Sequence, residues 1–229
     1  RLHFGNYFGA MKQNIDLSNS GEYESYVFIA DYHALTTVRN GDELRQQTIE
    51  AVASYIACGL DVSKVLLFKQ SSVPQVTELT WVFNNLITVP YLERCHSYKD
   101  KKNKEQDEIK KAITSYGVTN FDNELLRKIK SDLDEERDEA ANQIKNKIGL
   151  FDFETKINVG LFDYPVLMAS DILIYGADIV PVGADQKQHV EYSRDIAGYY
   201  NRAYNVEEFK LPKDLIMESV GSIPGIDGQ

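Results

Sequence analysis

Val180-Pro181-Val182-Gly183-Ala184-Asp185-Gln186-Lys187-Gln188-His189 is an apolar strand that stops at a glycine and opens a polar helix. Strand, tight turn and helix in that order are the repeating unit of a parallel α/β sheet, which binds ligands at the carboxyl ends of its strands. Gly183 permits a tight exit from the strand, and Asp185 and Gln186 sit where the helix begins. Asp185 reads either as the helix N-cap or as an acceptor for a ribose or an ammonium group. Lys187 and His189 are expected to point elsewhere along the helix, without catalytic roles.

Working outward, residues 165–175 read as a helix and 178–182 as the strand, with a further helix from Gln186 to about Asn201. Upstream, Tyr26 to Asp31 (YVFIAD) and Val65 to Phe68 (VLLF) are short apolar runs of the buried-strand kind. Between them Leu44, Thr48, Val52 and Tyr55–Ile56 recur at helical spacing, with Asp42 expected as N-cap and Gly59 as the C-terminal stop. Another helix is expected after Pro74, through Leu79 and Val82–Phe83. Alternating strands and helices imply right-handed crossovers. The expected fold is therefore α/β, a Rossmann-like parallel sheet with helices on both faces. A helical, charged insertion interrupts it, including a long amphipathic helix from Asp122 to Ile148. Residues 1–97 and 158–229 form the two halves of the Rossmann-like domain, and 98–157 the insertion.

Composition narrows the function. Hydrophobic residues are 43% and charged residues 26% of the 229, ordinary values for a globular protein. No apolar run is long enough to cross a bilayer and nothing resembles a secretory signal. Two cysteines without such a signal fit a reducing cytoplasm, and Cys58 and Cys95 are both expected as small core residues. A formal net charge of −10 argues against broad grip on nucleic acid, so an RNA partner must be met by a limited face.

Four clusters carry chemistry. In His3-Phe4-Gly5-Asn6, glycine lets the backbone approach a nucleotide, and a helix starting there aims N–H groups at phosphate oxygens. Taken alone, the tetrapeptide says no more than that a loop leads into a helix. In Tyr164-Pro165-Val166-Leu167-Met168-Ala169-Ser170-Asp171, helical spacing puts Tyr164, Met168 and Asp171 on one face. That face suits an aromatic substrate carrying an N–H or O–H donor, provided that Asp171 is buried; exposed, Asp171 is only a surface acid. The third cluster is the strand-turn-helix at 180–189. The fourth is Asp31-Tyr32-His33, where His33 reads either as a nucleotide contact or as a structural histidine. The four histidines are too scattered to suggest a metal site, and no Ser–His–Asp order is present.

Together these segments resemble bacterial-type tryptophanyl-tRNA synthetases, which are class I aminoacyl-tRNA synthetases. The resemblance is carried by RLHFGNYFGA (1–10), FIADYHALTT (28–37), DELRQ (42–46), LERCHSYKDK (92–101), YPVLMASDILIYGADIVPVGADQKQH (164–189) and SRDIA (193–197). It implies activation of L-tryptophan by ATP, accompanied by Mg²⁺, to tryptophanyl-adenylate, followed by transfer to tRNA(Trp). It implies a cytoplasmic homodimer, with the helix after Pro74 and the segment through Leu92–Cys95 near the interface.

By the same resemblance His3, Gly5 and Asn6 match the H-x-G-H-type signature and hold ATP, His3 and Asn6 with a catalytic role. Lys101 matches a lysine that approaches the triphosphate. His33, Gly183 and Asp185 fall on the nucleotide side, Asp185 at the ribose. Tyr164, Met168, Val180, Val182 and Gln186 match the tryptophan pocket, with Asp171 accepting the indole N–H. The family's K-M-S-K-S loop is expected just after Gln229. The chain is thus expected to be a portion of the enzyme that activates tryptophan poorly by itself. A tyrosyl-tRNA synthetase and a non-catalytic amino-acid- or nucleotide-binding module are the alternatives. A small adenylyltransferase would leave the pocket motifs unexplained.

Overall fold

The computed structural model of the chain describes residues 7, 11–95, 98–99, 103–104, 158–183 and 186–216. His3, Gly5, Asn6, Lys101, Asp185 and the helix expected over 122–148 lie outside them. The chain divides into two compact units, one of Arg1–Val89 with Asp163–Gln229, the other of Pro90–Phe162.

The order of elements is α1 (Lys12–Ser20), β1 (Ser25–Ile29), α2 (Asp31–Ala34), α3 (Gly41–Ala57), β2 (Val65–Lys69), a 3₁₀ turn (Gln70–Ser72), α4 (Gln75–Asn84) and α5 (Val89–Leu92). Then come α6 (Val159–Leu173), β3 (Ile179–Val182), α7 (Lys187–Tyr204) and β4 (Lys213–Ile216). β1 pairs with β2 in parallel, Ser25 opposite Val65 and Ile29 opposite Lys69. β3 pairs with β4 in parallel, Ile179 opposite Lys213 and Val182 opposite Ile216. Each pair is joined by a helical crossover, α2 with the long α3 for β1–β2 and α7 for β3–β4, as parallel strands require.

Local chemistry explains most boundaries. The Asn40 side chain accepts from the N–H groups of Asp42 and Glu43 at 2.9 and 3.1 Å, so Asn40 caps α3 and Asp42 lies in its first turn. The expected cap was two residues late. Gly59, at φ 100°, takes the left-handed turn after the helix that side chains resist. The helix expected to begin at Pro165 begins six residues earlier, at Val159, with Pro165 inside it. Asn158 supplies the missed start, its side chain accepting from the Leu161 N–H at 2.9 Å. The first strand stops at Ile29, because Asp31 opens α2 and accepts from both the N–H and the hydroxyl of Ser71. β4 escaped the sequence reading because Leu215–Ile216 are its only apolar residues.

In the first unit the packed side is built on α4, α6 and α7. Val76, Phe83, Val166, Ala169, Val190 and Ala197 are all fully buried there. Large apolar side chains buried this way are each worth roughly 1.5–3 kcal/mol. Phe83 meets Phe209 edge-on at 5.4 Å, and Tyr200 lies 4.8 Å from Phe209, which fastens α4 and α7 to the segment before β4. Arg194 on α7 donates to Asp214 on β4 at 2.9 Å and to the Pro212 carbonyl at 3.1 Å. A smaller core joins Met11, Ile15 and Leu60, with Tyr55, Val65 and Leu67 against it. Tyr175, just past α6, stacks on Tyr26 of β1 and meets Phe68 of β2 edge-on, which seats α6 on the β1–β2 pair.

In the second unit Tyr91, Leu92 and Cys95 are buried, and the Phe162 ring lies edge-on to Tyr98 at 5.0 Å. Cys95 is the core residue expected. Cys58 is not: it follows α3 on the surface and is exposed.

Candidate functional site

Parallel strands deliver the residues that follow them to one side of a sheet, and here polar side chains gather in that position. His33 follows β1, Gln70 follows β2, and His189 lies in the first turn of α7, after β3. α6 supplies the residues that face them. Its helical period sets Tyr164, Met168 and Asp171 along one side within about two turns.

Asp171 is the centre of the cluster and is 3% exposed. Its Oδ2 accepts a hydrogen bond from Gln70 Nε2 at 2.7 Å and lies 3.0 Å from His33 Nε2. Gln70 is completely buried. Its Oε1 accepts from the backbone N–H groups of Tyr32 and His33 at 3.0 and 3.3 Å, which fixes the amide so that its nitrogen faces the carboxylate. One oxygen of Asp171 is thus doubly held. The other, Oδ1, is buried and has no hydrogen-bond partner among the described residues. A buried carboxylate oxygen without a donor is costly, and a ligand N–H or O–H removes that cost.

The Tyr175 hydroxyl, one helical turn beyond, is also buried without a hydrogen-bond partner among the described residues. Burial, and then the Asp171 charge, push its pKa up, so it stays a neutral phenol. Where α6 faces α4, Asn84 donates to Asp163 at 2.9 Å. Burial raises the Asp163 carboxyl above its ordinary range, and the Asn84 hydrogen bond offsets part of that rise.

Tyr164 forms the aromatic wall. Its ring is edge-on to His33 at 6.0 Å and tilted against His189 at 5.5 Å, and its hydroxyl lies 2.7 Å from His189 Nε2. His189 is 5% exposed, so the expectation that it points away from the site is corrected. Its position three residues after Gln186 puts both on one face of α7, a signal that periodicity offered. Gln70 was also missed, although it stands at the end of β2 as His33 stands near the end of β1.

The structure therefore brings His33, Tyr164 and Asp171 into one connected cluster and adds Gln70 and His189. Met168 is half-buried on the same helix, between Tyr164 and Asp171. Val180 and Val182 are half-buried on one side of β3, whose intervening Ile179 and Pro181 are exposed. Gly183 closes the strand, its carbonyl accepting from the Gln186 N–H at 2.9 Å, and Gln186 is half-buried at the start of α7. Among the described residues no three His, Cys, Asp or Glu side chains group as metal ligands.

Parallel strands, crossover helices and polar side chains gathered at the strand ends define a Rossmann-like α/β domain, a class whose ligands bind at that position. The family model described as class I tRNA synthetases (W and Y) matches residues 1–119 and 131–229, and the chain belongs to that family. It is 45% identical over 228 residues to a tryptophan–tRNA ligase of Fusobacterium nucleatum, covering 100% of this chain and 54% of that protein. A tryptophan–tRNA ligase of Rhodopirellula baltica is 41% identical over 229 residues, covering 100% and 55%. The crystal structure of Campylobacter jejuni tryptophanyl-tRNA synthetase with ADP and tryptophan superposes with a TM-score of 0.70 at 36% identity, over 99% of this chain and 55% of that one. An Archaeoglobus fulgidus tyrosyl-tRNA synthetase, at 19% identity and a TM-score of 0.55, shares the fold. The chain spans about half the length of the curated relatives it matches.

Proposed function

We propose that the protein is a tryptophan–tRNA ligase and that this chain carries its amino-acid-activating domain. The observation that carries this reading is the buried Asp171, with one oxygen held by Gln70 and His33 and the other without a hydrogen-bond partner among the described residues, on the helix that also carries Tyr164. An indole offers one N–H and a flat apolar body, and this site offers one acceptor and an aromatic face. The likeness to a structure holding ADP and tryptophan supports the same assignment.

In the first step a tryptophan carboxylate oxygen attacks the α-phosphorus of ATP, forming the mixed anhydride and releasing pyrophosphate. In the second, a hydroxyl of the terminal ribose of tRNA(Trp) attacks the activated carbonyl and AMP leaves. Both steps are driven by positioning and charge stabilisation, so no side-chain nucleophile is needed. We assign Met168, Val180 and Val182 to the indole body, Gln186 to the amino-acid end, and His33, through its bond to Asp171, to the border with the nucleotide. ATP falls to His3, Gly5, Asn6, Lys101, Gly183 and Asp185, with Mg²⁺ carried on its phosphates as part of the substrate.

We assign the enzyme to the cytoplasm; among the described residues no helix is long and apolar enough to cross a membrane. Residues 98–157 are assigned to an insertion within the catalytic domain. A homodimer would cover the face of α4 that exposes Trp81 and Val82, whereas Leu92 and Cys95 are buried within the chain. Tryptophan-dependent ATP–pyrophosphate exchange by the protein as encoded tests the assignment. Exchange with tyrosine but not tryptophan would reverse it in favour of the sister specificity, and exchange with neither would favour a binding module.

A further inference from the structure

His189 has no part in the assignments above, yet it is nearly as buried as Asp171. It stands in the first turn of α7, where its carbonyl accepts from the buried Ser193 hydroxyl at 3.0 Å. Its ring leans on the Tyr164 ring with centroids 5.5 Å apart, and its Nε2 meets the phenol oxygen at 2.7 Å. The Tyr164 ring is also edge-on at 6.0 Å to His33, whose Nε2 lies 3.0 Å from Asp171 Oδ2. Tyr164 thus contacts two imidazoles, one following β1 and one following β3.

A tyrosine side chain has two soft torsions. A hydrogen bond at the phenol oxygen, which lies on the axis of the second torsion, restricts the first, and ring contacts restrict both. We infer that His189 is a positioning residue: it holds Tyr164 in place as the wall of the amino-acid pocket and so ties the geometry of that pocket to the first turn of α7. The inference rests on the functional reading given above. His189 acts through Tyr164, 25 residues away in sequence. Its loss should weaken the grip on the amino acid more than the grip on ATP.

The test is pyrophosphate exchange by the protein as encoded, with His189→Leu, His189→Gln, Tyr164→Phe and the His189→Leu/Tyr164→Phe pair. His189→Leu should raise KM for tryptophan about five- to thirtyfold, the range for one lost buried hydrogen bond. KM for ATP should stay within about twofold, and His189→Gln, which keeps a polar atom within reach of the phenol, should recover most of the loss. The double variant should be no worse than the poorer single variant, because the second change removes a bond already gone. Losses that multiply in the double variant, or equal rises in both KM values, would overturn the inference. An independent readout is the Tyr164 Cζ resonance in protein with labelled tyrosine. It should move with His189→Leu and return with His189→Gln, and an unmoved resonance would likewise overturn the positioning role. Absence of tryptophan-dependent exchange in the parent protein overturns the functional reading instead, and the resonance still decides whether His189 holds Tyr164.

Discussion

The two crossover helices have the same topological task and nearly the same length, yet they are built differently. α3, with 17 residues, connects β1 to β2 and contains no buried residue. α7, with 18 residues, connects β3 to β4 and buries His189, Val190, Tyr192, Ser193, Ile196 and Ala197. Those six fall at helical spacing and form a continuous stripe. α3 also carries an apolar stripe, Ile49, Val52, Ala53 and Ile56 at helical spacing, but it is not covered by the described residues: Ile49 and Ile56 are exposed, and the four line an apolar groove with the stem of Lys69. A crossover helix must span two parallel strands but need not be packed on every side. The packed one carries His189, whose ring meets the Tyr164 wall of the candidate site on α6.

Substitution at matched positions should separate the two helices most clearly. Ile196→Ala on α7 should cost about 2–5 kcal/mol in urea unfolding, because it opens a cavity in a closed core. Ile56→Ala on α3 should stay within about 0.5 kcal/mol, as exposed sites do. Equal losses would erase the contrast. Next comes the ligand-facing side of α6, where Asp171→Ala should weaken tryptophan binding by on the order of 1–3 kcal/mol, read by titration calorimetry. Unchanged affinity would remove the carboxylate from the binding account.

α3 depends on its ends more than on its faces. Asn40→Ala should therefore lower stability by about 1 kcal/mol, the usual worth of a lost N-cap. If thermal unfolding shows no change, α3 is held by something other than its cap. The smallest effect concerns Asp163 on α6. Its folded pKa is raised, so the native state binds the proton more tightly than the unfolded chain does. The stability this gives is fully present below the ordinary value of 3.8 and is lost as pH rises through the higher folded value. Asp163→Asn should thus gain on the parent protein as pH climbs above 3.8, and the two melting-temperature curves should run parallel once Asp163 is fully ionised. Parallel curves throughout would show that burial does not disturb this carboxyl.

Much of the frame was legible because its causes are local. YVFIAD and VLLF announce β1 and β2 through runs of β-branched and aromatic residues, and the strand at 179–182 is legible in the same way. The shared face of Tyr164, Met168 and Asp171 follows from helical period alone, but it left open whether Asp171 is a buried acceptor or a surface acid, which the structure decides by burying it. Where the reading slipped, a neighbouring residue offered the same chemistry. Asn40 competed with Asp42 for the cap, and Asn158 started a helix that Pro165 seemed suited to open.

The sequence by itself marked β1, β2, β3, α3, α4, α6 and α7, because propensity, capping and periodicity act between residues a few positions apart. It also determined that an aromatic, thioether and carboxylate face would exist on α6. Only the tertiary structure decided what that face meets. Gln70 and Asp171 are 101 residues apart, His33 and Asp171 138, and the hydrogen bonds between them exist only because two strand ends and a distant helix converge. No local signal encodes a bond of that span. Its strength comes from exclusion of water, which is a property of the packed core and not of any segment within it.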